Sequence, residues 1–121
     1  MRLSDKEWQV LEVLWRAPEG LTLGQVVEAL RPATGWSRNT VLTYLTRMEA
    51  KALVVIHKED APHRYRAGVD REACAAQERR GLLDRVYQGS AGKLVAAFLK
   101  EEKLTPQERE ELRRLLDDME V

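Results

Sequence analysis

A chain of 121 residues makes one domain, or one domain with an appendage. Its 44% hydrophobic content permits a core, its 33% charged content points to an exposed, helix-rich molecule, and its 20 basic and 20 acidic residues cancel, so the chain as a whole is no polycation. The single cysteine, Cys74, excludes an intramolecular disulfide and a multi-thiolate metal site; no apolar run is long enough to span a membrane, and Asp5 and Glu7 close to Met1 break the basic-then-apolar pattern of a signal peptide, so a cytoplasmic protein without membrane insertion is expected.

In chain order, Ser4-Asp5-Lys6-Glu7 is a capping box in which Ser and Glu each satisfy an orphan N–H at a helix start. Trp8, Leu11, Val13, Leu14 and Trp15 give that helix a broad apolar face, and Pro18 with Gly20 ends it. Leu21 is placed to pair as a short strand residue. Thr22-Leu23-Gly24-Gln25 then repeats the capping-box pattern and opens a second helix carrying Val26, Val27, Ala29 and Leu30, closed by Pro32 and Gly35.

The third helix follows after a turn short enough for a helix-turn-helix, with Ser37 as its N-cap. Val41, Leu45, Met48 and Ala52 recur at helical spacing, which at about 100° per residue gathers them into one stripe that should face a core. Asn39, Thr40, Thr43, Thr46 and Arg47 fall on the opposite side, with Arg38 at the start. The face has short hydrogen-bonding side chains plus the Arg47 guanidinium but no carboxylate, a combination suited to base edges and phosphate oxygens. An ordinary surface helix with chance threonines is the other reading. Charge distribution favours nucleic acid: Arg31 to Arg66 holds seven basic and three acidic residues, whereas Val69 to the end holds ten basic and twelve acidic.

After Leu53 the period changes. Val54-Val55-Ile56-His57-Lys58 reads as a strand, Glu59-Asp60-Ala61-Pro62 as a turn, and Arg64-Tyr65-Arg66 as the returning strand. Three helices and a hairpin make a winged helix, with His63 and Arg64 near the wing and within reach of a sugar-phosphate backbone. An exposed loop histidine is the plainer reading of His63.

Asp70 caps a fourth helix that runs through Tyr87 to Gly89. A further helical segment contains Leu94, Val95, Ala97, Phe98 and Leu99, and Thr105-Pro106-Gln107-Glu108 starts a last helix ending near Met119. Leu112, Leu115, Leu116 and Met119 lie on one face of it. Some 50 residues of separate helices cannot enclose a stable core alone. Their stripes call for a partner, either a second copy in a two-fold dimer or the winged helix of their own chain.

No enzyme constellation is present, and no cofactor or metal is expected: two histidines and one cysteine, with no glycine-rich phosphate loop, leave little for nucleophilic or metal catalysis. His57 and His63 flank the wing without an evident third ligand. Cys74, in Ala73-Cys74-Ala75-Ala76, reads as a packing residue, with thiol sensing as the alternative.

Trp8 and Trp15, Trp36-Ser37 with Thr40-Val41, then Thr43, Leu45, Arg47, Lys51 and Leu53, the wing residue Tyr65, and Val86-Tyr87 before Leu94-Val95 and Phe98 together resemble the penicillinase-repressor family. This is a family of transcriptional repressors of β-lactamase and methicillin-resistance genes, with copper-responsive relatives. The resemblance covers nearly the whole chain. It implies a mainly α protein: a winged helix-turn-helix DNA-binding domain with a small hairpin wing (1–69), then a helical dimerisation domain (70–121). It also implies binding to a dyad-symmetric double-stranded DNA operator.

DNA contact then falls to Ser37, Arg38, Asn39, Thr40, Thr43, Thr46, Arg47, His63 and Arg64. Dimerisation falls to Leu94, Val95, Phe98, Leu112, Leu115, Leu116 and Met119. Where the family has Pro-Lys after Trp-Ser, this chain has Arg38-Asn39, so the basic residue has moved by one position. The family's inactivating cleavage precedes the phenylalanine matching Phe98, commonly after asparagine; here Ala97 precedes it. A membrane-bound sensor protease is the partner such a cleavage would require. The cysteine-rich metal motif of the copper-responsive branch is absent. The expected function is a homodimeric repressor, the alternative being a winged-helix module that uses the same surface on another protein.

Overall fold

The structure, a computed structural model, describes residues 2–59 and 61–119. Elements run α1 (Asp5–Trp15), α2 (Leu23–Thr34), α3 (Arg38–Ala50), β1 (Val54–His57), β2 (Arg64–Ala67), α4 (Arg71–Tyr87), α5 (Ala91–Glu101) and α6 (Pro106–Asp118). The chain divides into two compact units, Met1–Glu78 and Arg79–Val121.

The first unit contains the expected winged helix together with the first part of α4. β1 and β2 pair antiparallel, with Val54 opposite Ala67 and Ile56 opposite Tyr65. Leu21 adds an isolated antiparallel bridge to β2: its N–H donates to the Tyr65 carbonyl at 2.9 Å and its own carbonyl accepts from the Tyr65 N–H at 2.7 Å. Val10, Leu11, Leu14, Val26, Leu30, Val41, Leu45 and Met48 bury their side chains between the three helices, and Leu53, Val54 and Tyr65 close the core from the wing side. Each of the three helices starts on a hydroxyl cap. Ser4 and Glu7 complete one capping box, Thr22 and Gln25 another, and Ser37 accepts from the Thr40 N–H.

Three local expectations are corrected. Pro32 does not end α2: the helix continues to Thr34, and Gly35 at φ +63 is the left-handed cap. Pro32 is exposed, so the Glu28 carbonyl deprived of its donor faces water at a helix end, where the loss is tolerated. Ala52 is not part of the α3 stripe. The helix stops at Ala50, Ala52 takes φ +63 and is exposed, and Leu53 fills the core position instead. Here the carbonyl of Ala52 lies so close to Gly68 that a Cβ there would come within 2.8 Å of it. Lys58 lies beyond the end of β1, and Asp60 of the wing turn is outside the described residues.

Glu7 is a further surprise. It is only 7% exposed, and its carboxylate accepts from the Ser4 N–H at 2.9 Å and from Lys51 Nζ at 2.8 Å. Its capping-box role is legible from spacing, but its burial against the far end of α3 is not.

In the second unit no residue of α5 or α6 is buried. Thr105 and Glu108 form a complete capping box with Pro106 in the first turn, so α6 is well started. Its apolar side chains nevertheless remain open: Leu115 is 65% exposed, Leu116 60% and Met119 64%. No helix among the described residues is long and apolar enough to cross a membrane.

Candidate nucleic-acid interface

The buried residues of α3 decide what its other side presents. With Val41, Leu45 and Met48 in the core, Arg38, Asn39, Thr43, Thr46 and Arg47 are all exposed. Thr40 is half-buried and its hydroxyl accepts from Ser37 at 3.1 Å, so it supports the cap as well as lining the face. The Thr43 hydroxyl donates to the Asn39 carbonyl at 2.9 Å while the side chain stays exposed. Trp36 stacks on Tyr44 with ring centroids 4.7 Å apart and planes 8° from parallel, bracing the entry to the helix.

The electrostatics sort the basic residues into two groups. Arg31 pairs with Glu28 at 2.7 Å, Lys51 with Glu7 at 2.8 Å and Lys58 with Glu49 at 3.3 Å, so three of the seven positive charges between Arg31 and Arg66 are already matched. Arg66 Nε donates to His57 Nε2 at 3.0 Å. Arg38 and Arg47 have no acidic partner among the described residues. The first turns of α2 and α3, like that of α5 in the second unit, carry no carboxylate, whereas α1, α4 and α6 begin with Asp5 and Glu7, Glu72, and Glu108. The N-terminal partial charges of α2 and α3 are therefore uncompensated, which favours an anion there.

These features converge. A cleft of about 330 Å³ is lined by Thr22, Leu23 and Gly24 at the start of α2, Arg38 at the start of α3, and Pro62, His63 and Tyr65 of the wing. Residues expected on separate elements, Arg38 and His63, thus share one concave surface. Arg64 is exposed on the wing, but one of its nitrogens is engaged, donating to the Gly20 carbonyl at 3.3 Å. Thr22 and Gly24 were not singled out from sequence as site residues. Their capping box was visible, but its position beside Arg38 depends on the turn between α2 and α3. Gly24 leaves the floor open: a Cβ there would lie 3.9 Å from the Arg38 guanidinium.

The dimerisation candidates lie together in the second unit. Leu94 and Leu112 are half-buried, while Val95 and Phe98 are exposed along with Leu115, Leu116 and Met119. A shallow cavity of about 300 Å³ runs between α5 and α6, lined by Leu99, Leu104, Leu112 and Leu116 and rimmed by Arg109, Arg113 and Asp117. The Ala97–Phe98 bond lies inside α5, with Ala97 half-buried. Cys74 is half-buried on α4, where burial first, and then Asp70 and Glu78, push its thiol pKa up, the opposite of what a reactive thiolate needs.

Known proteins share both the sequence and this fold. A family model described as penicillinase repressor matches residues 3–118. The transcriptional regulator BlaI of Mycobacterium tuberculosis (strain CDC 1551 / Oshkosh) is 34% identical over 125 residues, which cover 99% of this chain and 86% of that protein. The penicillinase repressor of Bacillus licheniformis is 27% identical over 117 residues, covering 97% of this chain and 91% of that protein. Among solved structures, the solution structure of monomeric B. licheniformis BlaI in complex with the blaP half-operator superposes with a TM-score of 0.52 at 28% identity, over 60% of this chain and 87% of that one. Its relatives are named as regulators and repressors rather than as enzymes, and the match spans almost the whole sequence: the chain belongs to the penicillinase repressor family of DNA-binding transcriptional repressors.

Proposed function

We propose that this chain acts as a homodimeric repressor that occupies a dyad-symmetric operator, with residues 1–69 binding DNA and residues 70–121 holding two copies together. The observation that carries the reading is the acid-free outer face of α3, where Arg38 and Arg47 have no acidic partner among the described residues while neighbouring basic residues are neutralised. α3 enters the major groove, Asn39, Thr43, Thr46 and Arg47 reach base edges, and Ser37, Arg38, Thr40, His63 and Arg64 hold the flanking phosphates. That a relative was solved as a monomer on a half-operator supports one winged helix per half-site.

The apolar residues left open on α5 and α6 support the second half of the proposal. Leu94, Val95, Phe98, Leu112, Leu115, Leu116 and Met119 bury against the same residues of a second copy. Cleavage between Ala97 and Phe98 by a sensor protease would detach α6 and release the operator by lowering the dimer population. The bond is helical, so cleavage requires local opening of α5.

The test is selection of duplexes from a randomised pool on the full chain. It should return an inverted repeat with half-site centres about one helical turn, or a multiple of it, apart, and binding should weaken steeply with salt. Enrichment of no sequence, or binding insensitive to salt, would refute the reading and favour a protein partner for the same surface.

A further inference from the structure

The side chains around the start of α4 form a cluster that neither the DNA face nor the tail uses. Trp8 and Trp15, one on each half of α1, meet edge to face with centroids 5.2 Å apart and planes at 72°. The Arg71 guanidinium lies 5.8 Å from the Trp8 ring and 5.9 Å from the Trp15 ring. Its Nε and Nη2 donate to Glu12 Oε1 at 3.3 and 3.0 Å, and the Trp8 indole N–H donates to the same oxygen at 2.9 Å. The Trp15 indole N–H donates to the Val69 carbonyl at 2.9 Å, and Asp70 accepts from the Ala73 N–H at 3.0 Å as the cap of α4. Three consecutive residues, 69 to 71, are therefore engaged, two of them fastened to α1 across more than fifty positions of sequence, all within the first unit. The Arg71 hydrogen bonds and charge hold the Glu12 carboxyl below its ordinary range, and Glu12 in turn raises Arg71, so both stay ionised at neutral pH.

We infer that Trp8, Glu12, Trp15 and Arg71 are positioning residues that fasten the root of α4 to α1 and make the connection between DNA binding and dimerisation stiff enough to select operator spacing. The inference rests on the dimer reading above. A tethered second binding event is strengthened by an effective concentration that depends on how stiff the tether is and how well its span matches the sites. α4 is the chain's path out of the winged helix. If its first turn is pinned, a dimer holds its two α3 helices at a limited range of separations. If the pin is loosened, each winged helix still reads a half-site, but pairing of the two is weaker and less exacting.

Arg71→Met removes the cation while keeping an unbranched chain over the indoles. Glu12→Gln removes the anion, retains an acceptor for Trp8 and leaves Arg71 in place, so it controls for any direct attraction of Arg71 to DNA. Both variants and the wild type are titrated against three duplexes: the inverted repeat selected on the wild-type chain, its isolated half-site, and the same repeat with half a helical turn inserted between half-sites. We expect half-site affinity to stay within about twofold, full-repeat affinity to fall by about tenfold or more, and the penalty for altered spacing to shrink. A fall in half-site affinity that matches the full-repeat loss would make the cluster a plain stabiliser of the winged helix and overturn the inference, as would an unchanged ratio and spacing dependence. If the wild type itself gains nothing from the second half-site, the dimer reading fails and takes the inference with it, a failure visible before any variant is measured.

Discussion

Leu45 of α3 and Leu115 of α6 lie on apolar stripes of similarly spaced residues, yet Leu45 is fully buried and Leu115 is 65% exposed. Their helices are started alike, by Ser37 in one case and Thr105 in the other, and α6 has the more complete cap of the two. The contrast separates two questions that periodicity merges. Caps and spacing decide that a helix forms and which side of it is apolar. What covers that side depends on whether other elements of the same chain enclose it, and three helices with a hairpin can do so where two helices cannot.

The sharpest way to break this comparison is to truncate the two leucines in turn. Leu45→Ala leaves a cavity in a closed core and should cost about 2–5 kcal/mol of folding stability, measured by denaturant unfolding. The same change at Leu115 should cost far less at concentrations where the chain is monomeric. A comparable loss there would mean that α6 is covered within its own chain.

Leu115→Asp asks what covers α6 in solution. A carboxylate in a buried interface is uncompensated, so the variant should sediment as a monomer and lose about a hundredfold in affinity for the inverted repeat while keeping its half-site affinity. A folded, monomeric variant that binds the repeat as tightly as wild type would end the dimer mechanism.

Arginines extend the comparison to charge. Arg47 has no acidic partner among the described residues, whereas Arg114 of α6 lies 3.8 Å from Glu110. Arg47→Ala should weaken operator binding by about 1–3 kcal/mol with folding unaffected, and Arg114→Ala should leave it unchanged, both read by fluorescence anisotropy at fixed salt. Equal effects at the two positions would show that DNA responds to net charge rather than to the α3 face.

The smallest expected effect is in acid. Burial works to raise the Glu7 carboxyl, but the hydrogen bond from Lys51, those from the Ser4 amide and hydroxyl, and the Lys51 charge outweigh it and hold the group below its ordinary value. Hydrogen bonds from Arg71 do the same for Glu12, outweighing its desolvation, with a further contribution from the Trp8 hydrogen bond. Because the folded pKa values are depressed, the stability these groups contribute is fully present above the ordinary glutamate value and is lost as pH falls below it through the depressed folded values. Thermal unfolding of Glu7→Gln should therefore lose part of the acid-limb slope that the wild type shows. An unchanged slope would place the acid sensitivity elsewhere.

Much of the first unit was legible because its signals are local. Hydroxyl caps three residues ahead of an acid or amide, a change from helical to strand spacing after Leu53, and acid-free spacing around Asn39, Thr43 and Arg47 all act within a few residues. Pro32 and Ala52 were misread for the same reason. A proline suggests a stop but is tolerated where its face is wet, and an apolar residue in register is not helical once the chain turns left-handed.

Sequence alone thus determined where α1, α2, α3, α4 and α6 begin, which face of α3 is free of acid, and that the tail helices carry apolar stripes. Tertiary structure decided which charges remain available, because Lys51 and Lys58 are neutralised by Glu7 and Glu49 across 44 and 9 positions that no helical repeat connects. It also brought Thr22, Gly24, Arg38 and His63 around one cleft and gathered Trp8, Glu12, Trp15 and Arg71 into one cluster. The physical reason is range: capping and amphipathicity are set by neighbours along the chain, whereas ion pairing and the convergence of loops depend on distances that only the packed core establishes.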